Sequence, residues 1–373
     1  LHAKAGSITR PKQRSPKVRS DEVPFGLTRS DTDLFGDVAI QSFAWSARVH
    51  EIHDSLLRPR GTAASRVRSE SSQRASEFVI DIEVHRSCMN EKFTTISVRG
   101  KPTRVPCIQI GDTTVLTRGK RLKIASIHDE EYCQGDPVGN PEQLIERYKI
   151  QGGQADIFTF SQRITDVRQN FDFPVYWDNA AVISTKSYSA WWDSLAQVAR
   201  RNVRLAAKRG VVVSTAPFDD NLVKGITGIY NECPVRQGRR FWHYGKKPEI
   251  VRRENATFLD RAEFIGAYLG TELIGFIKMV YVNDIASIMQ ILAKAGHQDK
   301  RTTNALIAKA VEICSQKSMT YLRYCNYVYH GNYNDALTDF KQRNGFKELH
   351  FPQYFVPLSI KGKIAVLLKL PLG

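Results

Sequence analysis

Between Ser187 and Arg209 the apolar residues Trp192, Leu195, Ala199, Val203 and Ala206 recur at spacings of 3, 4, 4 and 3, which draws one stripe down a single helix. Arg200, Arg204 and Lys208 form a ridge on another face, where like charges at i, i+4 repel mildly unless water or a bound anion relieves them. Gly210 ends the helix and Val211–Val213 reads as a strand. A helix at about 219–230 precedes an Arg-rich loop, 236–240, and the aromatic segment Phe241-Trp242-His243-Tyr244, read as a strand. A meander follows: strands at 263–269 and 272–282 around the Gly270-Thr271 turn, then Asn283-Asp284 and a strand at 286–292. The loop 294–302 leads to a helix at about 303–316, with Leu306, Ala310 and Ile313 inward, then a strand at 321–325 and a helix at 335–343. Gly345-Phe346 opens the last strands, so the order is β-β-β-α-β-α-β.

The earlier part of the chain has weaker patterns. Alternation at Phe78–Val84, a hairpin of 105–110 and 113–117 around Gly111-Asp112, a helix from Pro141 to about Ile150, and strands at 156–160 and 175–184 give a mixed α+β unit with no evident chemistry. Residues 1–75 are rich in Ser, Arg, Pro and Gly without a period, and are expected to be disordered or extraneous to the folded protein. The expected organisation is α+β with a mixed sheet: a first domain at 76–185 and a second at 186–373, whose last ~20 residues pack back on the first.

Composition narrows the class. The 373 residues are 42% hydrophobic and 25% charged, enough for two globular cores. No run approaches the ~18–20 apolar residues of a transmembrane helix, and the polar, basic start has no apolar signal segment. Six cysteines (Cys88, Cys107, Cys133, Cys233, Cys314, Cys325) form no CxxC pair or ligand cluster, which suggests reduced thiols, no metal and a cytoplasmic location. The net charge of +16 divides into +5 on residues 1–75 and +11 on the rest, a basic surface suited to an anionic partner.

The element order and several motifs resemble the GNAT acyltransferase superfamily. In that fold the helix after the fifth strand often reads Asn-x-x-Ala-x-x-Leu-Tyr-x-x-x-Gly-Phe. Here Asn334, Phe340, Gly345 and Phe346 keep the frame, Leu337 stands for Ala, and Lys341 replaces the frequent catalytic Tyr. Phe340-Lys341, the Arg201–Gly210 run and Tyr354–Leu358 look more like Fem-type aminoacyl transferases, which consist of two GNAT-like domains in tandem. The pyrophosphate loop before the helix is degenerate: Lys300-Arg301-Thr302-Thr303 puts a β-branched residue where the family has glycine, so acyl-CoA is one donor candidate and aminoacyl-tRNA the other.

The resemblance implies transfer of an acyl or aminoacyl group from an ester or thioester to an amine, in a cleft where the fourth and fifth strands part. A backbone N–H near Ile291 and Leu292 would polarise the donor carbonyl, and Lys341 would stabilise the oxyanion. Tyr329 and His330, in the Tyr- and Asn-rich loop after the fifth strand, are proton-relay candidates. Phe340 and Asn334 are candidates to line the substrate, with core packing and helix capping as alternatives. Lys300, Arg301, Thr302 and Thr303 are phosphate candidates, and Lys246 and Lys247 nucleotide or substrate contacts. His297 beside Asp299 is either a phosphate ligand or part of a polar loop. A different reading is an inactive GNAT-like module that binds nucleic acid or phosphate, in line with the missing Tyr and glycines. The basic, apolar tail Lys361–Leu372 also suggests transient contact with a membrane surface.

Overall fold

The computed structural model describes residues 92–98, 101–134, 138–236, 238–329 and 331–368, all within the unit Thr32–Gly373. The expectations for residues 1–75, Phe78–Val84, Cys88, His330 and the tail beyond Leu368 lie outside the described residues.

The described residues begin with four antiparallel strands: β1 (Lys92–Val98), β2 (Lys101–Ile110), β3 (Thr113–Arg118) and β4 (Ile124–Ile127). A 3-10 turn at Glu130–Tyr132 and helix α1 (Pro141–Ile150) carry the chain over to β5 (Ile157–Ser161), parallel to β4, and then to β6 (Val175–Ser184). Asn140 caps α1 by accepting the Gln143 N–H at 2.9 Å, with Pro141 in the first helical turn where no N–H is needed.

The second half begins with α2 (Tyr188–Ser194), α3 (Gln197–Lys208), β7 (Val211–Ala216), α4 (Asp220–Tyr230), a small hairpin β8 (Val235–Arg236) and β9 (Arg239–Arg240), and α5 (Pro248–Asn255). The meander β10 (Ala262–Leu269), β11 (Glu272–Val282) and β12 (Ile285–Ala293) leads through a 3-10 segment, Ala295–Lys300, into α6 (Thr302–Gln316). Then come β13 (Tyr321–Arg323), parallel to β12, α7 (Ala336–Arg343), β14 (Lys347–Pro357) and α8 (Ile360–Leu367).

Twelve strands form one mixed sheet in the order β1-β2-β3-β4-β5-β14-β6-β13-β12-β11-β10-β7. Each flank is an antiparallel run that ends in a parallel pair, β4 with β5 and β12 with β13, joined by a helical crossover. The next strand in each flank comes from the other end of the chain: late β14 lies beside β5, and early β6 lies beside β13. The architecture is α+β, with two parts that repeat one pattern and exchange their central strands. Trp191, Leu195 and Ala199 pack with Ile277, Leu306, Val311 and Phe346 in the largest core, and Val115, Tyr148, Phe158 and Tyr354 anchor the core of the first part.

Three local expectations are corrected. The single helix expected at Ser187–Arg209 is two, because Ser194 Oγ donates to the Trp191 carbonyl at 2.7 Å and Leu195 leaves the helix at ψ 142. The stripe survives the break: Leu195, Ala199 and Ala206 are buried, and Trp192 and Val203 pack on the same core. The aromatic segment Phe241–Tyr244 is a turn, closed by the Tyr244 N–H on the Phe241 carbonyl at 3.0 Å, which turns Phe241 and His243 inward onto Tyr230. The strand expected at 321–325 ends at Arg323, because Cys325 takes a left-handed φ of 50°.

Candidate functional site

β12 pairs with β11 along its length, but the register slips: Gln290 faces Lys278 and Ile288 faces Met279, leaving Met289 extra. On its other side β12 meets β13 over three residue pairs only, Ile285–Ser287 with Tyr321–Arg323, and beyond Ser287 the two strands part. β13 is irregular at the same level. Ala181 of β6 accepts the Tyr324 N–H at 2.8 Å and donates to the Cys325 carbonyl at 2.9 Å, so one residue opposes two. The sheet therefore holds a gap with a bulge on each edge.

The Lys294 N–H donates to the Ile274 carbonyl, toward β11, at 2.8 Å. Alternation along an antiparallel strand then turns the Ile291 and Ala293 N–H groups the other way, toward the gap, and the Leu292 N–H toward β11. Both Ile291 and Leu292 side chains are buried.

Helix α7 stands over the far edge. Its cap is Asp335, which accepts the Leu337 N–H at 3.0 Å; Asn334 is exposed and caps nothing. Phe340 is buried in the main core. Lys341, one position on, has 0% of its surface exposed; its Nζ donates to the Asn326 carbonyl and lies 4.7 Å from the Tyr329 ring centre and 5.4 Å from that of Tyr324. Burial lowers its pKa to about 8, against the opposing pull of Cys325 and Asp335. The Tyr329 hydroxyl contacts the Cys325 thiol, whose pKa burial pushes up to about 12, with Glu131 adding to the rise and Lys341 opposing it.

Sequence reasoning missed the contribution of the first half. Tyr132, from the 3-10 turn after β4, packs on Val280 and Val282 with Met289 alongside, and Glu131 pairs with Arg323 at 3.5 Å. The hydroxyls of Tyr132 and Tyr324 are buried with no hydrogen-bond partner among the described residues. An unsatisfied buried hydroxyl costs about 1–3 kcal/mol, so each is a polar group held ready for another partner. No local signal marks Tyr132 for this place, since it is brought there by a junction far away in sequence.

The remaining predicted residues fall elsewhere. Arg301 precedes α6 at φ 56° with no capping side chain, while Thr302 and Thr303 are buried and Thr302 Oγ1 has no partner among the described residues. Lys300 pairs with Asp299 at 3.3 Å, and Asp299 lies 3.6 Å from Arg209. His297 sits 3.7 Å from Glu272. The start of α6 is tied to the end of α7: Asn304 Nδ2 donates to Asn344 Oδ1 at 2.8 Å, and Trp191 Nε1 donates to the Asn344 carbonyl at 3.2 Å.

Lys246 and Lys247 are not brought to Lys341. Lys246 binds Glu254 at 2.7 Å, stacks over Trp242 and lies 3.2 Å from His243 Nδ1; Lys247 is exposed at the start of α5. Burial, then the Lys246 and Arg236 charges, lower the His243 pKa to about 2 and keep the ring neutral beside Gln290 and Tyr230. Gln290 and Ile291 are neighbours on a strand and face opposite sides of the sheet, so this polar cluster lies on the other face from the Ile291 side chain.

Among the described residues no group of three or more His, Cys, Asp or Glu is placed to hold a metal ion, and no helix is long and apolar enough to cross a membrane. The strand order, with a parallel pair that parts after three residues in each half, is that of two GNAT-like folds in tandem. No family model and no curated protein matches the sequence. Among solved structures the chain is similar to FemX (10% identity, 74% of this chain and 90% of that one, TM-score 0.48). It is also similar to L-PGS from Bacillus licheniformis (12% identity, 72% and 88%, TM-score 0.46). A tandem GNAT protein from the clavulanic acid biosynthesis pathway is a third (11% identity, 69% and 83%, TM-score 0.37).

Proposed function

We propose that this protein transfers an acyl or aminoacyl group from an ester or thioester donor to an amine in the gap between β12 and β13. The observation that carries the reading is a fully buried lysine, Lys341, whose ammonium is held by the loop that follows β13, just past the point where β13 parts from β12.

The amine nitrogen attacks the donor carbonyl carbon, the carbonyl electrons move to oxygen, and collapse expels the alcohol or thiol with the proton that the amine gives up. An amide bond forms and an ester or thioester bond breaks. The Ile291 N–H, turned to the gap, is the candidate donor to the oxyanion, an interaction worth about 3 kcal/mol in comparable sites. Protonated Lys341 adds positive charge there; with a pKa near 8 it also exchanges a proton near neutral pH. Tyr329, in contact with the Cys325 thiol, is the candidate relay; His330 is its neighbour in sequence. A CoA or tRNA donor would bring its phosphates toward Lys300 and Arg301. The burial of Thr302 and Thr303 leaves little side-chain capping for a pyrophosphate, which favours aminoacyl-tRNA over acyl-CoA.

One observation favours the second reading, a non-catalytic phosphate- or nucleic-acid-binding module: Lys341 already satisfies the Asn326 carbonyl and braces that loop. Labelled acetyl-CoA and a labelled aminoacyl-tRNA mixture, each offered with lysine and amine-bearing lipids or peptides, separate the two. Turnover that falls at least 100-fold in Lys341→Ala, with an unchanged circular dichroism spectrum, supports transfer. Tight, salt-dependent tRNA binding that is indifferent to Lys341→Ala, without turnover, supports the module.

A further inference from the structure

Helix α8 wears its polarity reversed. Gly362 and Ala365 are buried against β5 and β14, close enough that a Cβ on Gly362 would run into the Asp156 carbonyl oxygen. The opposite face carries Ile360, Ile364, Leu367 and Leu368, exposed at 78%, 52%, 80% and 65%. At about 100° per residue these four lie within about 100° of one another, and Lys361 and Lys363 fall on the two borders of the stripe. The helix is thus pinned by its small residues and offers its large ones to the outside.

The neighbouring loop repeats the chemistry. Residues 119–123 lie beside α8 because Asp156 accepts the Lys123 N–H at 2.8 Å and the Ser359 hydroxyl at 2.7 Å, and pairs with Lys361 at 3.4 Å. Leu122 packs in the same cluster as Ala365 and Val366. Across 119–123 and 359–368 there are five basic residues (Lys120, Arg121, Lys123, Lys361, Lys363), all exposed, and no acidic one. Asp156, the carboxylate beneath them, is occupied by its own partners.

We propose that this face docks on an anionic phospholipid bilayer, with the Ile360–Leu368 stripe in the acyl–headgroup boundary and the five cations against lipid phosphates. An apolar stripe with cations along both borders matches a surface that is greasy below and negative above, since long basic side chains keep their charge at the headgroups while their stems lie along the stripe. A protein groove would satisfy the stripe and leave four of the five positive charges, all but Lys361, without partners. The proposal stands apart from the transfer chemistry and holds for an inactive protein equally.

Flotation of the full chain with vesicles tests it. At about 50 mM salt the protein should float with phosphatidylglycerol–phosphatidylcholine vesicles at least tenfold more than with phosphatidylcholine alone, and about 500 mM salt should remove most of that difference. Ile364→Asp with Leu367→Asp should reduce the floated fraction at least tenfold, and Lys361→Glu with Lys363→Glu should abolish the preference for anionic lipid. All four sites are exposed, so circular dichroism should be unchanged. Failure of the native protein to float, or flotation that ignores both pairs of substitutions, overturns the proposal. So does a native dimer, seen by light scattering, that Ile364→Asp with Leu367→Asp converts to monomer, since a second copy would then be the occupant.

Discussion

The two parallel junctions of the sheet start alike and end differently. Each has three residue pairs, each is followed by a 3-10 segment and a helix, and in each the strands part beyond the last pair. In the first half the opening is sealed. The Gln162 N–H bonds to Pro352 of β14, so that of Ser161 turns toward β4, where the Glu130 carboxylate accepts it at 2.8 Å. In the second half the residue in the place of Ser161 is Cys325, and the unsatisfied hydroxyls of Tyr132 and Tyr324 and a neutralisable lysine gather near it. One frame thus serves once as a structural joint and once as a site. The difference lies in which side chain follows the fourth strand.

The sharpest way to break that comparison is activity. Lys341→Ala should lower turnover at least 100-fold, about 2.7 kcal/mol of transition-state stabilisation, while Glu130→Gln should leave it within about threefold, as read by kcat/KM. Equal losses would make both openings structural.

Stability against pH gives the next contrast. Lys341 has a folded pKa of about 8, below the unfolded 10.5, so its contribution is present above about 10.5 and is lost as pH falls through about 8. Lys341→Met should remove that rise, up to roughly 3 kcal/mol between pH 8 and 10.5 in urea titrations. Glu130 has the opposite sign. Burial raises its pKa from 4.5 to about 7, so its contribution is present below about 4.5 and is lost as pH rises through about 7. Glu130→Gln should flatten that fall.

Two glycines in left-handed conformations sharpen the picture further. Gly345, at φ 83°, would place a Cβ 2.8 Å from Trp191 Nε1 and 2.9 Å from Leu195, so Gly345→Ala should cost about 2–3 kcal/mol in chemical denaturation. Gly111, at φ 58° in the β2–β3 turn, has open space around it, and Gly111→Ala should cost only about 1 kcal/mol. The smallest contrast is at the crossover helices. Asn140→Ala should lose about 1 kcal/mol by uncapping α1, whereas Arg301→Gly should gain up to about 1 kcal/mol by relieving the left-handed backbone before α6.

Much of the second half was legible along the chain. The meander, α6 and α7 announce themselves through alternation, the Gly270 turn and the Asn334–Phe346 spacing, because each is fixed by residues a few positions apart. The break at Ser194 was hidden behind a stripe that continues across it. β4 has only four residues and half of α5 is charged, too little pattern for either to stand out. Lys341 was singled out by its frame, but Tyr132 owes its position to packing across more than 100 residues, Glu130 to a partner 31 residues on, and Asn344 to a helix-end contact that no spacing encodes.

The exchange of β6 and β14 sets a condition on how the molecule is born. While β14 is still being synthesised, β5 has a bare edge that only residues 353–357 can cover, and the first core lacks Tyr354 and Val356. Neither part can finish alone on the ribosome, so maturation waits until β14 has been made. A fragment ending before Lys347 should carry an open strand prone to sticking to its own kind.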